Sequence, residues 1–301
     1  HLPTRRQRQM CIRDRGLMHL GAASMIGATG SNGSNNGVPE NFDVLTYTDY
    51  DLSEVSSIGY TVHNLVVNDP SIFSSDDIQR IKESFHNNSL IIGQTNGRYG
   101  GDLVNPDQRI RDKCINFVKD MCVLTSKLGA PNTYLRPGSI NPNGPWLPHP
   151  ENHTDKVFDR LIDSTKKIIT VAENEGVKLS LEGGYVSPIF SAKRTKEFID
   201  AVGSKNLGFN QDPVNFISSI EQAYNTKEFL EDFFTLLGEY TLGAHLKDFK
   251  IIDTLLLRFE EEFLGSGMMD QVYFLKKMNE ICPDAHILVE HIPRAVSYTH
   301  L

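Results

Sequence analysis

Cysteine is scarce in this sequence, and long apolar segments are lacking. Four cysteines in 301 residues are too few for a disulfide scaffold, and they form no CxxC motif. No apolar run is long enough to span a bilayer, and no signal-peptide apolar segment follows the basic N-terminus. These absences argue against a disulfide-rich secreted protein and a membrane protein, so we expect a reducing, cytoplasmic location.

Positive charge is also in deficit. The formal net charge is −8, which argues against a nucleic-acid partner held by phosphate neutralisation. The composition is 39% hydrophobic and 23% charged, which is ordinary for a globular protein. The chain is long enough for one large α/β domain or two small ones. The oligomeric state is left open, and a homo-oligomer is one option.

Both ends of the chain differ from the rest. Residues 1–15 are basic without an apolar period, and they resemble the translation of sequencing-adapter DNA, as do residues 296–301. We therefore expect two non-native tails around a domain at 16–295; a genuine basic arm that binds an acidic partner is the alternative. Because the chain stops soon after Glu290, we also expect an incomplete final helix.

Short strand-like runs alternate with helical patterns along the domain. The runs span 18–26, 60–67, 89–95, 133–136, 177–182, 207–212, 241–247 and 285–290. The helical patterns span 51–58, 74–87, 106–128, 154–175, 191–202, 226–240 and 270–281, with loops expected at 27–39 and 249–269. This alternation predicts a parallel α/β sheet, either open and doubly wound or closed as a barrel. No GxGxxG follows the first run, so a dinucleotide-binding open sheet lacks support.

Four of the runs end in side chains that can bind a metal: Glu182, Asp212, His245 and Glu290. Functional groups at the carboxyl ends of several strands favour a single (β/α)8 TIM barrel, in which those ends meet at one mouth. Three carboxylates meeting there would repel without a cation. Oxygen-rich ligands with one imidazole suit Mn²⁺, Mg²⁺ or Co²⁺, with Zn²⁺ as an option. Taken singly, each residue is also compatible with a solvated or packed side chain.

These residues carry a family resemblance over about residues 18–292. The sequence resembles the sugar phosphate isomerase/epimerase family, the xylose isomerase-like TIM barrels, in four motifs: Leu-Ser-Leu-Glu182-Gly-Gly, Asn-Gln-Asp212-Pro-Val-Asn215, Ala-His245-Leu-Lys247-Asp248 and Leu-Val-Glu290-His291. The resemblance implies that the four residues bind one divalent metal ion, with manganese as the expected ion. It also implies that Glu182 and Glu290 form an acid/base pair for a ketose or related sugar, phosphorylated or not.

The implied chemistry is proton transfer through an enediolate, which gives epimerisation or isomerisation. The epimerases of this family have a histidine where this sequence has Asn215, which can bind a substrate hydroxyl but cannot titrate. A keto-polyol dehydratase on the same barrel therefore stays open, and an abasic-site endonuclease or a non-catalytic sugar-binding barrel has less support.

Three further candidates concern substrate binding and loops. We expect Lys247 to steer a substrate oxygen or to pair with Asp248. Arg136 is a candidate for binding a substrate carboxylate or phosphate, with structural pairing as its alternative. Gly265 and Gly267 are compatible with a phosphate loop, although a plain turn before a helix capped by Asp270 is favoured.

Overall fold

Eight parallel strands close into a barrel in the computed structural model, which describes residues 19–22, 49–100 and 102–290. The strands are β1 (His19–Ala22), β2 (Val62–Val67), β3 (Ile91–Gly97), β4 (Asn132–Leu135), β5 (Lys178–Leu181), β6 (Leu207–Gln211), β7 (Thr241–Leu246) and β10 (His286–Val289). Their order around the barrel is β1, β10, β7, β6, β5, β4, β3, β2. The predicted TIM barrel is confirmed. The tails, the 27–39 loop and any closing helix lie outside the described residues.

Helices follow the strands and cover the outside of the barrel. They are α1 (Asp49–Ile58), α2 (Ser75–Asn87), α3 (Gln108–Leu128), α4 (Asp155–Glu175), α5 (Ala192–Val202), α6 (Ile220–Tyr224), α7 (Thr226–Leu237) and α8 (Gln271–Ile281). Each predicted helix is present, and the short α6 was not predicted. Among the described residues, no helix has the length and apolar composition needed to cross a lipid bilayer.

Local sequence explains where several helices begin and end. Ser74 and Asp77 form a reciprocal capping box at α2, which satisfies backbone donors that the helix leaves free. Gly129, at the end of α3, adopts φ 73°, a left-handed conformation that costs glycine little. Two predicted boundaries were wrong by more than one residue at the ends of long helices. The helix α3 begins at Gln108, two residues after the predicted start, because the Asp107 side chain accepts the Arg109 N–H and caps it there. The helix α7 ends at Leu237, three residues before the predicted end.

The apolar core lies between the barrel and its helices. On α4 the predicted buried stripe of Val157, Leu161, Ile168 and Ala172 is confirmed, and each of these residues is 0% exposed. Burying a side chain of this size contributes about 1.5–3 kcal/mol. Because outward strand residues supply the other half of this core, the inward residues are left to form the inside of the barrel and its mouth.

A β-hairpin interrupts the last βα unit within the predicted loop. Strands β8 (Asp248–Ile251) and β9 (Phe259–Glu262) pair antiparallel. The buried Asp248 carboxylate accepts the backbone N–H groups of Gly265, Gly267 and Met269, and so fixes the return of the chain to α8. These two glycines therefore form a turn around a protein carboxylate, which agrees with the favoured interpretation. Asp270 caps α8, as predicted.

Candidate metal centre

The four predicted ligands come from four neighbouring strands. Glu182 follows β5, Asp212 follows β6, His245 lies on β7 and Glu290 follows β10, and these strands are adjacent in the barrel in that order. All four side chains are therefore at the carboxyl mouth. Glu182, Asp212 and His245 are buried, with exposures of 2%, 0% and 3%, and the Glu290 side chain is 11% exposed.

The ligand atoms lie close enough to share an ion. One atom from each of the four residues lies within 4.8 Å of each of the others. Trans ligands of an octahedral Mg²⁺ are separated by about 4.2 Å, and those of larger ions by more. His245 Nδ1 lies 2.8 Å from Glu182 Oε2, 3.3 Å from Glu290 Oε2 and 3.7 Å from Asp212 Oδ2. The geometry therefore fits a single small divalent ion.

Two further observations test this fit. His245 Nδ1 has no hydrogen bond among the described residues, although a carboxylate oxygen lies 2.8 Å away, because the two groups are not aligned for one. Such an orientation suits a ring nitrogen that coordinates an ion. Three hard oxygen ligands and one imidazole favour Mn²⁺, Mg²⁺ or Co²⁺ over ions that prefer thiolates. The four residues are therefore able to hold a metal.

Lys247 balances part of the negative charge. Its Nζ lies 2.7 Å from Asp212 Oδ2 and 2.7 Å from Glu290 Oε2, and it donates to Asn215 Oδ1 at 3.2 Å. Burial alone lowers the pKa of Lys247, but Asp212 and Glu290 outweigh it and raise the pKa well above its ordinary value. Lys247 is thus a buried ammonium facing the site. It pairs with these carboxylates rather than with Asp248, which was the alternative.

His245 shares this electrostatic environment. Burial lowers the pKa of His245, whereas Glu290 and Glu182 raise it, and the net direction is well above the ordinary value. The cause is the same for both cations: buried carboxylates stabilise whichever positive charge is nearest. The mouth therefore has a strong preference for positive charge, which is the property required of a cation site.

Two asparagine side chains orient the carboxylates. Asn215 Nδ2 lies 3.0 Å from Glu182 Oε1 and 2.9 Å from Asp212 Oδ2 and donates to both. Asn210, which lies on β6 two residues before Asp212, donates from Nδ2 to Glu182 Oε2 at 3.0 Å. Both oxygens of Glu182 are thereby fixed. The predicted role of Asn215 in binding substrate stays a prediction, but the residue lies within the site.

Arg136 lies at the rim of the mouth and is held by backbone. One of its terminal nitrogens, Nη2, donates to the carbonyl oxygens of Gly97 and Tyr99, each at 2.9 Å, and the guanidinium lies 4.7 Å from the centre of the Tyr99 ring. This is the structural pairing that we considered as the alternative. Recognition of a substrate carboxylate or phosphate by Arg136 stays a prediction.

Sequence reasoning missed Tyr134 and Asn210. The Tyr134 ring stacks on His245, with centroids 6.2 Å apart and planes inclined by 22°. Burial and the nearby Glu182 raise the pKa of Tyr134 well above its ordinary value, so its hydroxyl stays protonated. Strand alternation was the available signal, because Tyr134 and Asn210 lie two residues before Arg136 and Asp212 and so share their faces.

Solved structures with low sequence identity share this fold. A xylose isomerase-like TIM barrel protein from Mycobacterium smegmatis, in complex with magnesium, superposes with a TM-score of 0.70 at 15% identity over 93% of each chain. D-psicose 3-epimerase from Clostridium cellulolyticum gives 0.64 at 16% identity, over 90% of this chain and 84% of the other. The 3-keto-D-glucoside 4-epimerase of E. coli superposes with a TM-score of 0.64 at 16% identity, over 93% of this chain and 94% of the other.

Sequence comparison identifies the family itself. An uncharacterized protein of Methanocaldococcus jannaschii is 24% identical over 194 residues, which is 62% of this chain and 59% of the relative. The model of the xylose isomerase-like TIM barrel family matches residues 52–299. That match includes four of the six residues at 296–301, so it gives the proposed non-native tail no support. The chain belongs to the xylose isomerase-like TIM barrel family.

Proposed function

We propose that this protein is a divalent-metal-dependent isomerase or epimerase of a ketose or a related sugar. The observation that carries the proposal is the order of the ligands along the mouth. Glu182 and Glu290 come from the two outer strands of the four-strand arc, and Asp212 and His245 lie between them. Two carboxylates at opposite ends of a cation site are suited to remove and return a proton on different sides of one substrate.

The bound ion, Mn²⁺ in our proposal and Mg²⁺, Co²⁺ or Zn²⁺ as options, would polarise a carbonyl and its adjacent hydroxyl and so acidify the C–H bond of the carbon that carries the hydroxyl. Side chains of the protein itself transfer the proton and stabilise the developing charge. Glu182 accepts the proton with its carboxylate held by Asn210 and Asn215. Glu290 is placed to return a proton, and Lys247 supplies a fixed positive charge beside the negative charge that develops on the enediolate.

A dehydratase acting on a keto-polyol is the second candidate. Asn215 favours it, because this side chain has no titratable proton and its amide is engaged with Glu182 and Asp212. A water-eliminating enzyme begins with the same proton removal beside a carbonyl and then loses a hydroxyl group. The two candidates therefore share Glu182 as the base and differ in the fate of the enediolate.

Deuterium incorporation tests the proposal and separates the candidates. The Mn²⁺-loaded protein is incubated in D₂O with a panel of ketoses, free and phosphorylated, and products are followed by NMR and mass spectrometry. We expect deuterium at a carbon next to the carbonyl, with a stereoisomer or aldose as product. Loss of water without a stereoisomer favours the dehydratase. No exchange with any sugar, despite bound metal, would remove the enzymatic proposal.

A further inference from the structure

The layer of the barrel interior beneath the metal centre is polar. Strand alternation places Ser180, Asn210, Gly243 and Leu288 directly below the four ligands, because each lies two residues before one of them. TIM-barrel interiors are normally filled by bulky branched apolar side chains. Of these four residues only Leu288 is of that kind. The layer is nevertheless fully inside the protein, since Ser180, Asn210 and Leu288 are each 0% exposed.

Polar atoms in this interior have no hydrogen-bond partner among the described residues. These buried atoms are Gln94 Oε1, Ser180 Oγ, Asn210 Oδ1 and His286 Nε2. Gln94 faces the interior, because its neighbour Thr95 bonds outward to Thr125 on α3 and Gln94 itself donates to Asn132. One buried polar group without a partner costs about 1–3 kcal/mol, so four in one compartment would cost much of the stability of a typical domain.

The strand register brings two of these atoms towards each other. His286 pairs with Gly243, and Gly243 pairs with Asn210 on the next strand, so the three residues lie in one row. A Cβ on Gly243 would overlap His286 Nε2 and lie 2.7 Å from its Cε1. The imidazole therefore lies across the glycine, towards Asn210. No hydrogen bond joins His286 Nε2 to Asn210 Oδ1 among the described residues, so each of these two buried atoms still requires a partner.

The chemistry of the row defines what can occupy it. Burial lowers the pKa of His286 to about 3, so the imidazole is neutral and has one donor and one acceptor nitrogen. Serine, asparagine and glutamine are also neutral. The Gln94 and Asn210 oxygens accept hydrogen bonds, and the serine hydroxyl and the neutral imidazole can donate or accept, so a water molecule can satisfy each of these atoms.

We propose that the barrel interior beneath the metal centre is a closed water-binding site, in which one ordered water bridges His286 Nε2 and Asn210 Oδ1. The bridge fixes the Asn210 amide so that its Nδ2 donates to Glu182 Oε2, and His286 thereby becomes a positioning residue for a metal ligand. The water site is independent of the proposed function, whereas its effect on Glu182 rests on the metal centre of that function.

A crystal structure of the full chain at ~1.2 Å or better tests the water site directly. We expect an ordered water within about 3.2 Å of both His286 Nε2 and Asn210 Oδ1, with further water on Ser180. A dry compartment, or a direct bond between the imidazole and the Asn210 amide, would overturn the proposal. Neither result depends on a sugar or on turnover, so the proposed function could fail while the water site stands.

Manganese affinity, measured by titration calorimetry, tests the positioning role. We expect His286→Leu to weaken Mn²⁺ binding about tenfold, as loss of a partner that orients a ligand does. His286→Gln retains a polar atom near the position of Nε2 and should restore most of that affinity. Ile287→Val is the matched control: Ile287 is 1% exposed on the outward face of the same strand, and its truncation should reduce stability without changing Mn²⁺ affinity.

The outcomes of this titration are distinct. Wild-type affinity in a folded His286→Leu protein would refute the positioning role, and so would an equal loss of affinity in Ile287→Val. Failure of both His286 variants alike would also refute it, because it would show a requirement for the imidazole itself rather than for a water-bridged polar atom.

Discussion

Replacing Lys247 by methionine should make the stability of this protein depend on metal. The ammonium is buried, with 7% of the residue exposed, and lies 2.7 Å from carboxylate oxygens of both Asp212 and Glu290. Methionine has a similar length without the charge. In the metal-free variant, the carboxylates of Asp212 and Glu290 stay buried but lose the ammonium that compensates their negative charge.

Removing one partner of a buried ion pair typically costs about 3–5 kcal/mol, because the charge left behind is uncompensated. For the metal-free Lys247→Met protein we expect a loss in this range. At about 2 °C per kcal/mol for a chain of this size, the midpoint of thermal unfolding should fall by about 6–10 °C. A divalent ion supplies two positive charges to the same carboxylates, so the loss in the Mn²⁺-loaded variant should be less than about half as large.

The assay compares thermal midpoints of wild type and variant, each with EDTA and with excess Mn²⁺. Lys250→Met is the matched control. Its Nζ also lies 2.7 Å from a carboxylate oxygen, that of Glu262, but 44% of the lysine side chain is exposed. Water and salt screen such a surface pair, so its loss should shift the midpoint little and equally with and without metal.

One result would refute the reasoning. If Lys247→Met lost the same stability with EDTA and with saturating Mn²⁺, then the ammonium and the ion would not compensate the same carboxylates. The single-cation interpretation of the mouth would then be wrong. A metal-free variant as stable as the wild type would show instead that the carboxylates find other compensation.

Three further predictions follow from single contacts. Glu182→Gln and Glu290→Gln should each abolish deuterium exchange into the sugar, whereas substitution of the exposed Glu231 on α7 by glutamine should not. Exchange at the wild-type rate in Glu182→Gln or Glu290→Gln would remove the acid/base assignment. The pKa of the buried His286 imidazole is lowered to about 3, so below pH 6.5 the unfolded chain binds a proton that the folded chain does not. Between pH 6.5 and 5, the free energy of unfolding of the wild type should therefore fall by about 2 kcal/mol more than that of His286→Leu, as measured by urea unfolding. An equal fall in both proteins would contradict this. Gly267→Ala places a Cβ against the Asp248 carboxylate and 2.5 Å from the Phe249 carbonyl oxygen, so unfolding should be easier by about 1–3 kcal/mol; unchanged stability would show that this turn can shift.

Much of the fold followed from local patterns. Helix periodicity with its capping residues, and short runs between glycine turns, predicted eight strands and their helices. The β8–β9 hairpin was not predicted, because its two strands are short and the three glutamates of β9 are typical of a solvent-exposed segment. The predicted start of α3 was two residues too early, because Asp107 caps the helix and its first residue is Gln108.

The sequence by itself determined the βα alternation and the identity of the four side chains at the strand ends, because both depend on residues close to one another in the chain. Only the tertiary structure decided that these strands are neighbours, that Lys247 lies between Asp212 and Glu290, and that His286 lies across Gly243. Barrel closure and strand register bring together residues that are tens of positions apart, and no local pattern encodes the distance between them.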